Sequence, residues 1–151
     1  MVTRRVSALV AMILLGHAAI AIAADSVDAN ELEKLQGKWE PISAIFDGTE
    51  VKLDDGNNFI FKLKGRTVTV HLRGEVAGTL EVQHLEATGP FGQIDFERDY
   101  QGVKSKIKLL YKLEGNTITT CAGLPDADRP TELSSKPGSK ARLTVSKITK
   151  D

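Results

Sequence analysis

The chain has 151 residues, 41% hydrophobic and 26% charged, with 20 basic and 20 acidic side chains and no net charge. That length suits one globular domain and leaves little room for a second core. A balanced surface argues against nucleic acid, which rewards clustered Lys and Arg because they displace counterions from phosphates, and it supplies no strong field to hold an anionic membrane.

Residues 1–23 read as a secretory signal peptide. Arg4 and Arg5 precede an apolar run from Val6 to Ile22, and Ala21, Ile22 and Ala23 end in the small residues that a signal peptidase needs. The run carries Gly16 and His17 and is barely long enough to cross a bilayer, so no membrane span is expected once the signal is cleaved. No Cys follows the cleavage site, so lipid attachment is not indicated. Residues 24–151 then form the mature domain, exported to the periplasm or secreted, and loss of Arg4 and Arg5 leaves a net charge of about −2.

The next stretch, "DSVDANELEKLQGKW", carries helix-start chemistry. Ser26 or Asp28 can accept from free backbone N–H groups, Glu31 and Glu33 suit the positive end, Leu32 and Leu35 share a face, and Gly37 stops the helix. From Trp39 onward the period falls to 2. "KWEPISAIF" opens a series of eight expected strands. "NFIFKLKGRTVTVHL" reads as a hairpin with Phe59, Phe61, Leu63, Val68, Val70 and Leu72 on one face, and "KIKLLYKLEGNTITTCA" repeats the design with Ile107, Leu109, Tyr111, Leu113 and Ile118. Between them lie "GTLEVQHL", with Leu80 and Val82 inward, and "QIDFERDY", with Ile94 and Phe96 inward; "ARLTVSKI" closes the series with Leu143 and Val145 inward. Asp47-Gly48, Asp55-Gly56, Arg73-Gly74 and Thr88-Gly89-Pro90 supply turns. No alternating helical pattern exists, which excludes a parallel α/β sheet. The expected fold is all-β: an eight-stranded antiparallel up-and-down barrel with a short N-terminal helix, closed because closure removes exposed strand edges.

With Gly37-Lys38-Trp39 between the helix and the first strand, the chain resembles the lipocalin pattern Gly-X-Trp, in which the Trp closes one end of the barrel. Read in order, "ELEKLQGKWEPISAIFDG", "YKLEGNTITTCAG" and "RPTELSSKPGS" are similar to a lipocalin-like domain family of unknown function, abundant in planctomycete bacteria. The likeness covers nearly all of the mature chain. Two positions depart from it: Leu133 stands where an aromatic is usual, and Pro41 where an apolar strand residue is usual. Lacking an N–H, Pro41 implies an edge or a bulge near the closing seam. Lipocalins often place an Arg from the last strand over the Trp, a role the resemblance gives to Arg142, with Lys147 second. The family carries no established catalytic residues.

Candidate sites follow from the barrel. An eight-stranded barrel either is filled by its own side chains or holds one small ligand, and barrel size leaves both open. If it holds a ligand, the walls expected to touch it are Trp39, Phe61, Val70, Phe96, Leu109 and Tyr111, with Tyr111 as a polar handle for an apolar or amphipathic molecule. If it is filled, the domain serves as a structural or protein-interaction module with an envelope protein as partner. The polar stretch "DADRPTELSSKPGSKAR" is long for a connection without secondary structure. It is either a lid over the barrel mouth, ordered by Arg129 and Glu132, or a fixed segment held by Ser134, Ser135 and Ser139, the reading its turn chemistry favours.

Cys121 is the only Cys, so the domain folds without an internal disulfide, and the thiol reads as a small buried hydrophobe. His71 and His84 stand alone, without the three or four convergent ligands zinc needs. There is no nucleophile elbow, Cys121 has no recognisable His partner, and the carboxylates gather at turns where they are solvated. The sequence therefore suggests no enzyme, no metal and no cofactor.

Overall fold

The computed structural model describes residues 26–151 except Asp55 and Asn57. The signal peptide expected over residues 1–23 lies outside the described residues, as does Asp55 of the expected Asp55-Gly56 turn.

Helix α1 spans Ala29–Leu35 and starts at Asp28, whose carboxylate accepts from the N–H groups of Asn30 and Glu31 at 2.9 and 3.1 Å. Such a cap satisfies donors that the first turn cannot pair internally. Beyond the helix, the Gln36 amide donates to the Gly65 carbonyl and accepts from the Gly65 N–H, each at 2.8 Å. The helix end is thereby tied to the turn of the first hairpin.

Among the described residues nine strands follow: β1 (Gly37–Phe46), β2 (Thr49–Glu50), β3 (Phe59–Lys64), β4 (Thr67–Leu72), β5 (Glu75–Thr88), β6 (Phe91–Tyr100), β7 (Val103–Glu114), β8 (Thr117–Ala122) and β9 (Arg142–Thr149). The two-residue β2 only folds back on the end of β1. The other eight pair antiparallel in chain order, and β9 returns to β1, closing the barrel. The β1–β9 seam runs from Lys38 opposite Thr149 to Phe46 opposite Arg142 and is broken by a bulge between Pro41 and Ser43. A proline without a ladder donor explains its place. Both residues of the Asp47-Gly48, Arg73-Gly74 and Gln101-Gly102 turns have positive φ, the conformation whose twist matches antiparallel strands in two-residue hairpins.

One end of the barrel is filled. Leu63, Val68, Leu85, Ile94, Tyr111, Ile118 and Ile148 are buried there with Leu35 of α1, which plugs the opening. Each such side chain contributes about 1.5–3 kcal/mol relative to exposure. Just before α1, Val27 bridges to Leu85, and the Asp28 N–H donates to the Leu85 carbonyl at 2.9 Å. Gly92 faces Tyr111 across the β6–β7 ladder, and a Cβ at Gly92 would stand 2.1 Å from that ring. The missing side chain makes room for the phenol, whose hydroxyl donates to Glu31 Oε2 at 2.7 Å.

The last strand corrects the expectation. Arg142, Thr144, Ser146 and Ile148 face the interior, so Leu143 and Val145, one residue out of phase, face outward. Along the outer wall Leu143 stands opposite Cys121, and Cys121 opposite Leu110; Leu110 and Cys121 are both buried. Residues 123–141 pass over this wall, where the Cys121 thiol donates to the Ser134 carbonyl at 3.3 Å. These strands are therefore covered on both faces, and apolar residues are needed on each.

Candidate functional site

The other end of the barrel is open, with a cavity of about 330 Å³, at the small end of the range for ligand pockets. Trp39 lies beside the filled end, 5% exposed, its indole N–H donating to the Leu35 carbonyl at 2.7 Å. Strand alternation brings Phe59, Phe61, Leu80, Phe96, Ile107 and Leu109 onto the wall. On β8 and β9 the same alternation supplies a stripe of hydroxyls from Thr120, Thr144 and Ser146. Nearer the exit stand Phe46 and Leu124, both exposed, with Pro125, Lys140 and Arg142.

Of the side chains lining this cavity, Lys140 and Arg142 are the charged ones, and no carboxylate joins them. Arg142 is half-buried, and burial disfavours its charged form. A guanidinium nevertheless stays protonated in a protein.

The expected ligand contacts are partly brought together. Trp39, Phe61, Phe96 and Leu109 share the cavity wall. Val70 is half-buried against the core but does not reach that wall. Tyr111 belongs to the filled end: desolvation first, and then its bond to Glu31, hold its hydroxyl well above the usual tyrosine range. Glu31 also accepts from Lys34 at 2.5 Å. The polar handle expected of Tyr111 is thus committed to fastening the helix plug.

The placement of an arginine over Trp39 is also corrected. Trp39 stands opposite Ile148, whereas Arg142 stands opposite Phe46, six residues or roughly 20 Å along the strand. Lys147 pairs with Glu40 in the ladder and points outward. Among the described residues no cation lies over the Trp39 ring.

Residues 123–141 have the geometry of a fixed segment. Near its start, the Asp126 N–H donates to the Lys106 carbonyl at 2.7 Å and the Asp126 carboxylate accepts from the Lys106 N–H at 2.9 Å. Midway, Arg129 donates to the Ile94 carbonyl at 3.2 Å, the Leu109 carbonyl at 2.8 Å and Asp95 Oδ1 at 2.5 Å. At the far end, Ser135 binds the Gly48 N–H and the Ala141 carbonyl, and the Lys140 N–H donates to Asp47. Arg129 is thus an ordering contact, made on the outer wall rather than over the mouth. Glu132 is not: it is exposed and its partners, Lys136 and Ser134, belong to the same segment, their hydrogen bonds lowering its pKa. Leu124, Pro125 and Lys140 are the parts of the segment that reach the cavity.

The burial of Asp95 and Glu31, carboxylates whose partners lie 34 and 80 residues away, is not legible in the sequence, and neither are the inward hydroxyls of Thr144 and Ser146 on β9; Thr120 lies with Ile118 on the returning strand of its hairpin, as the alternation there expects. A signal that the outer wall is covered is present in Leu109-Leu110-Tyr111, where consecutive apolar residues mark a strand buried on both faces. Among the described residues no three His, Cys, Asp or Glu side chains converge on a metal site, and no helix is long and apolar enough to cross a membrane. Comparison with protein-family models, with curated proteins and with solved structures finds no match.

Proposed function

We propose that this chain is an exported, lipocalin-type binding module that holds one small apolar or amphipathic molecule without chemically changing it. The observation that carries this reading is the cavity of about 330 Å³ with aromatic and aliphatic walls, next to a barrel end that is packed solid. A barrel whose only purpose was stability would gain by filling both ends, since unfilled apolar space forfeits contacts. The resemblance to lipocalin-like domains supports the same reading, because Gly37-Lys38-Trp39 leads from the helix into β1 and puts Trp39 at the inner end of the cavity. Export to the periplasm or medium rests on Arg4, Arg5 and the apolar run to Ile22.

Thermal melting of residues 24–151 with a panel of fatty acids and aromatic dyes tests this function. A saturable rise in melting temperature with at least one class is the expected result; no shift with any of them refutes it.

A second reading, an interaction module of the cell envelope, draws on Val76, Tyr100 and Val103, which are 61, 59 and 70% exposed on the ends of β5, β6 and β7. Isolated exposed apolar residues are ordinary, whereas three on adjoining strand ends form a candidate contact surface. Cross-linking in the exporting cell would capture an envelope protein, lost on Val103→Glu. No captured protein would count against this reading.

A further inference from the structure

We propose that the ligand is a single-chain amphipathic anion, its headgroup held by Arg142 at the outer part of the cavity and its tail directed toward Trp39. The proposal rests on the binding reading above and adds the ligand's charge and orientation.

Three features of the cavity point to it. The first is the distribution of charge along the cavity. In a chain with no net charge, the lining carries two cations and no carboxylate. Five lysines elsewhere, Lys34, Lys38, Lys104, Lys112 and Lys136, each pair with a glutamate, whereas the two cavity cations have no carboxylate beside them in the lining. The second is Arg142 itself. It is half-buried on the inner face of β9, and among the described residues its guanidinium has neither an ion pair nor a hydrogen bond, whereas that of Arg129, also partly buried but on the outer wall, makes three contacts. A guanidinium removed from part of its water and left without partners is a cost unless an anion completes it. Its fork geometry suits the two oxygens of a carboxylate.

The third observation is the order of chemistry along the barrel. Arg142 stands opposite Phe46 near the exit, the hydroxyls of Thr144 and Ser146 come next along β9, and Trp39 lies at the inner end beside Ile148. A molecule that is charged at one end and apolar at the other matches this gradient in one orientation only. Lys140, exposed at the exit, adds a second positive charge on the headgroup side.

Three C12 probes that share one tail test the assignment: dodecanoate, dodecanol and dodecyltrimethylammonium, each used below its micelle concentration. Binding is read by calorimetry and by the emission of Trp39, the chain's only Trp. Dodecanoate is expected to bind at least about tenfold tighter than dodecanol, the effect of one charge-assisted contact, and the cation weakest. Arg142→Gln should bring dodecanoate down to the dodecanol value while leaving dodecanol unchanged, and Arg142→Lys should recover part of the difference. Equal affinities for acid and alcohol in the unmodified protein overturn the headgroup assignment and leave the binding reading standing. Binding of none of the three overturns both. Because the headgroup comparison is decided in the unmodified protein, a variant that fails to fold does not protect the proposal.

Discussion

Replacing Arg129 by Ala is expected to destabilise the barrel more than its place in a polar connecting segment suggests. The Arg129 and Asp95 side chains are 19 and 11% exposed, and the guanidinium also reaches the carbonyls of Ile94 and Leu109. Removing one partner of a buried pair costs about 3–5 kcal/mol, because the remaining charge is left without its counter-ion. Some water reaches this site, so about 2–4 kcal/mol is the working figure. An unfolding entropy of about 2.1 cal/mol/K per residue over roughly 130 residues converts 1 kcal/mol into about 4 °C, giving a fall in Tm of roughly 8–15 °C by calorimetry. The double variant Arg129→Met with Asp95→Leu removes both charges and should recover much of that loss. Asp95→Asn alone should fall between, since the carbonyl contacts remain. If Arg129→Ala melts within about 2 °C of the unmodified protein, the guanidinium does not anchor the segment and the argument fails.

Other parts of the structure give equally definite expectations. Tyr111→Phe leaves the buried Glu31 without its phenolic donor and should cost about 1.5–3 kcal/mol in urea unfolding, with an unchanged m-value. Gly92→Ala drives a methyl group into the Tyr111 ring and should cost at least as much; a loss below about 0.5 kcal/mol would show that the ring moves aside freely. Burial raises the pKa of Cys121 above 9.0, so the native protein should react with a disulfide reagent at pH 8 far more slowly than the urea-unfolded chain; equal rates would contradict the buried outer wall. Cys121 and Tyr111 both hold protons in the native state that the unfolded chain releases at lower pH. The stability these two groups contribute is therefore fully present below pH 9 and should be lost as pH rises above 9.0 for Cys121 and above 10.0 for Tyr111, the second loss being absent in Tyr111→Phe.

Much of this barrel is legible in the sequence because one physical signal dominates it. In β3, β4, β6 and β7 apolar residues recur at every second position, and the barrel interior takes that set, with Leu110 an added buried residue on the outer face of β7. The helix start at Asp28 and the bulge at Pro41 follow from local chemistry alone, a short side-chain acceptor in one case and a missing N–H in the other. The reading fails on β9 because it assumes that apolar means inward. Residues 123–141 cover the outer wall, so Leu143 and Val145 can face away from the barrel while Thr144 and Ser146 line the cavity. Tyr111 was expected to face a ligand because a phenol beside an apolar wall suits that role; its partner Glu31 lies 80 residues earlier, beyond any local pattern. The same distance problem hides the Arg129–Asp95 pair, formed across 34 residues.

Native mass spectrometry decides whether the open half of the barrel is built around a ligand. The mature protein would be purified gently from the exporting cell, without lipid extraction, and weighed before and after denaturation. A ligand-holding barrel should show a reproducible added mass that disappears on unfolding and belongs to a single-chain molecule with an acidic headgroup. A clean protein mass that persists after incubation with envelope lipid extract would contradict it.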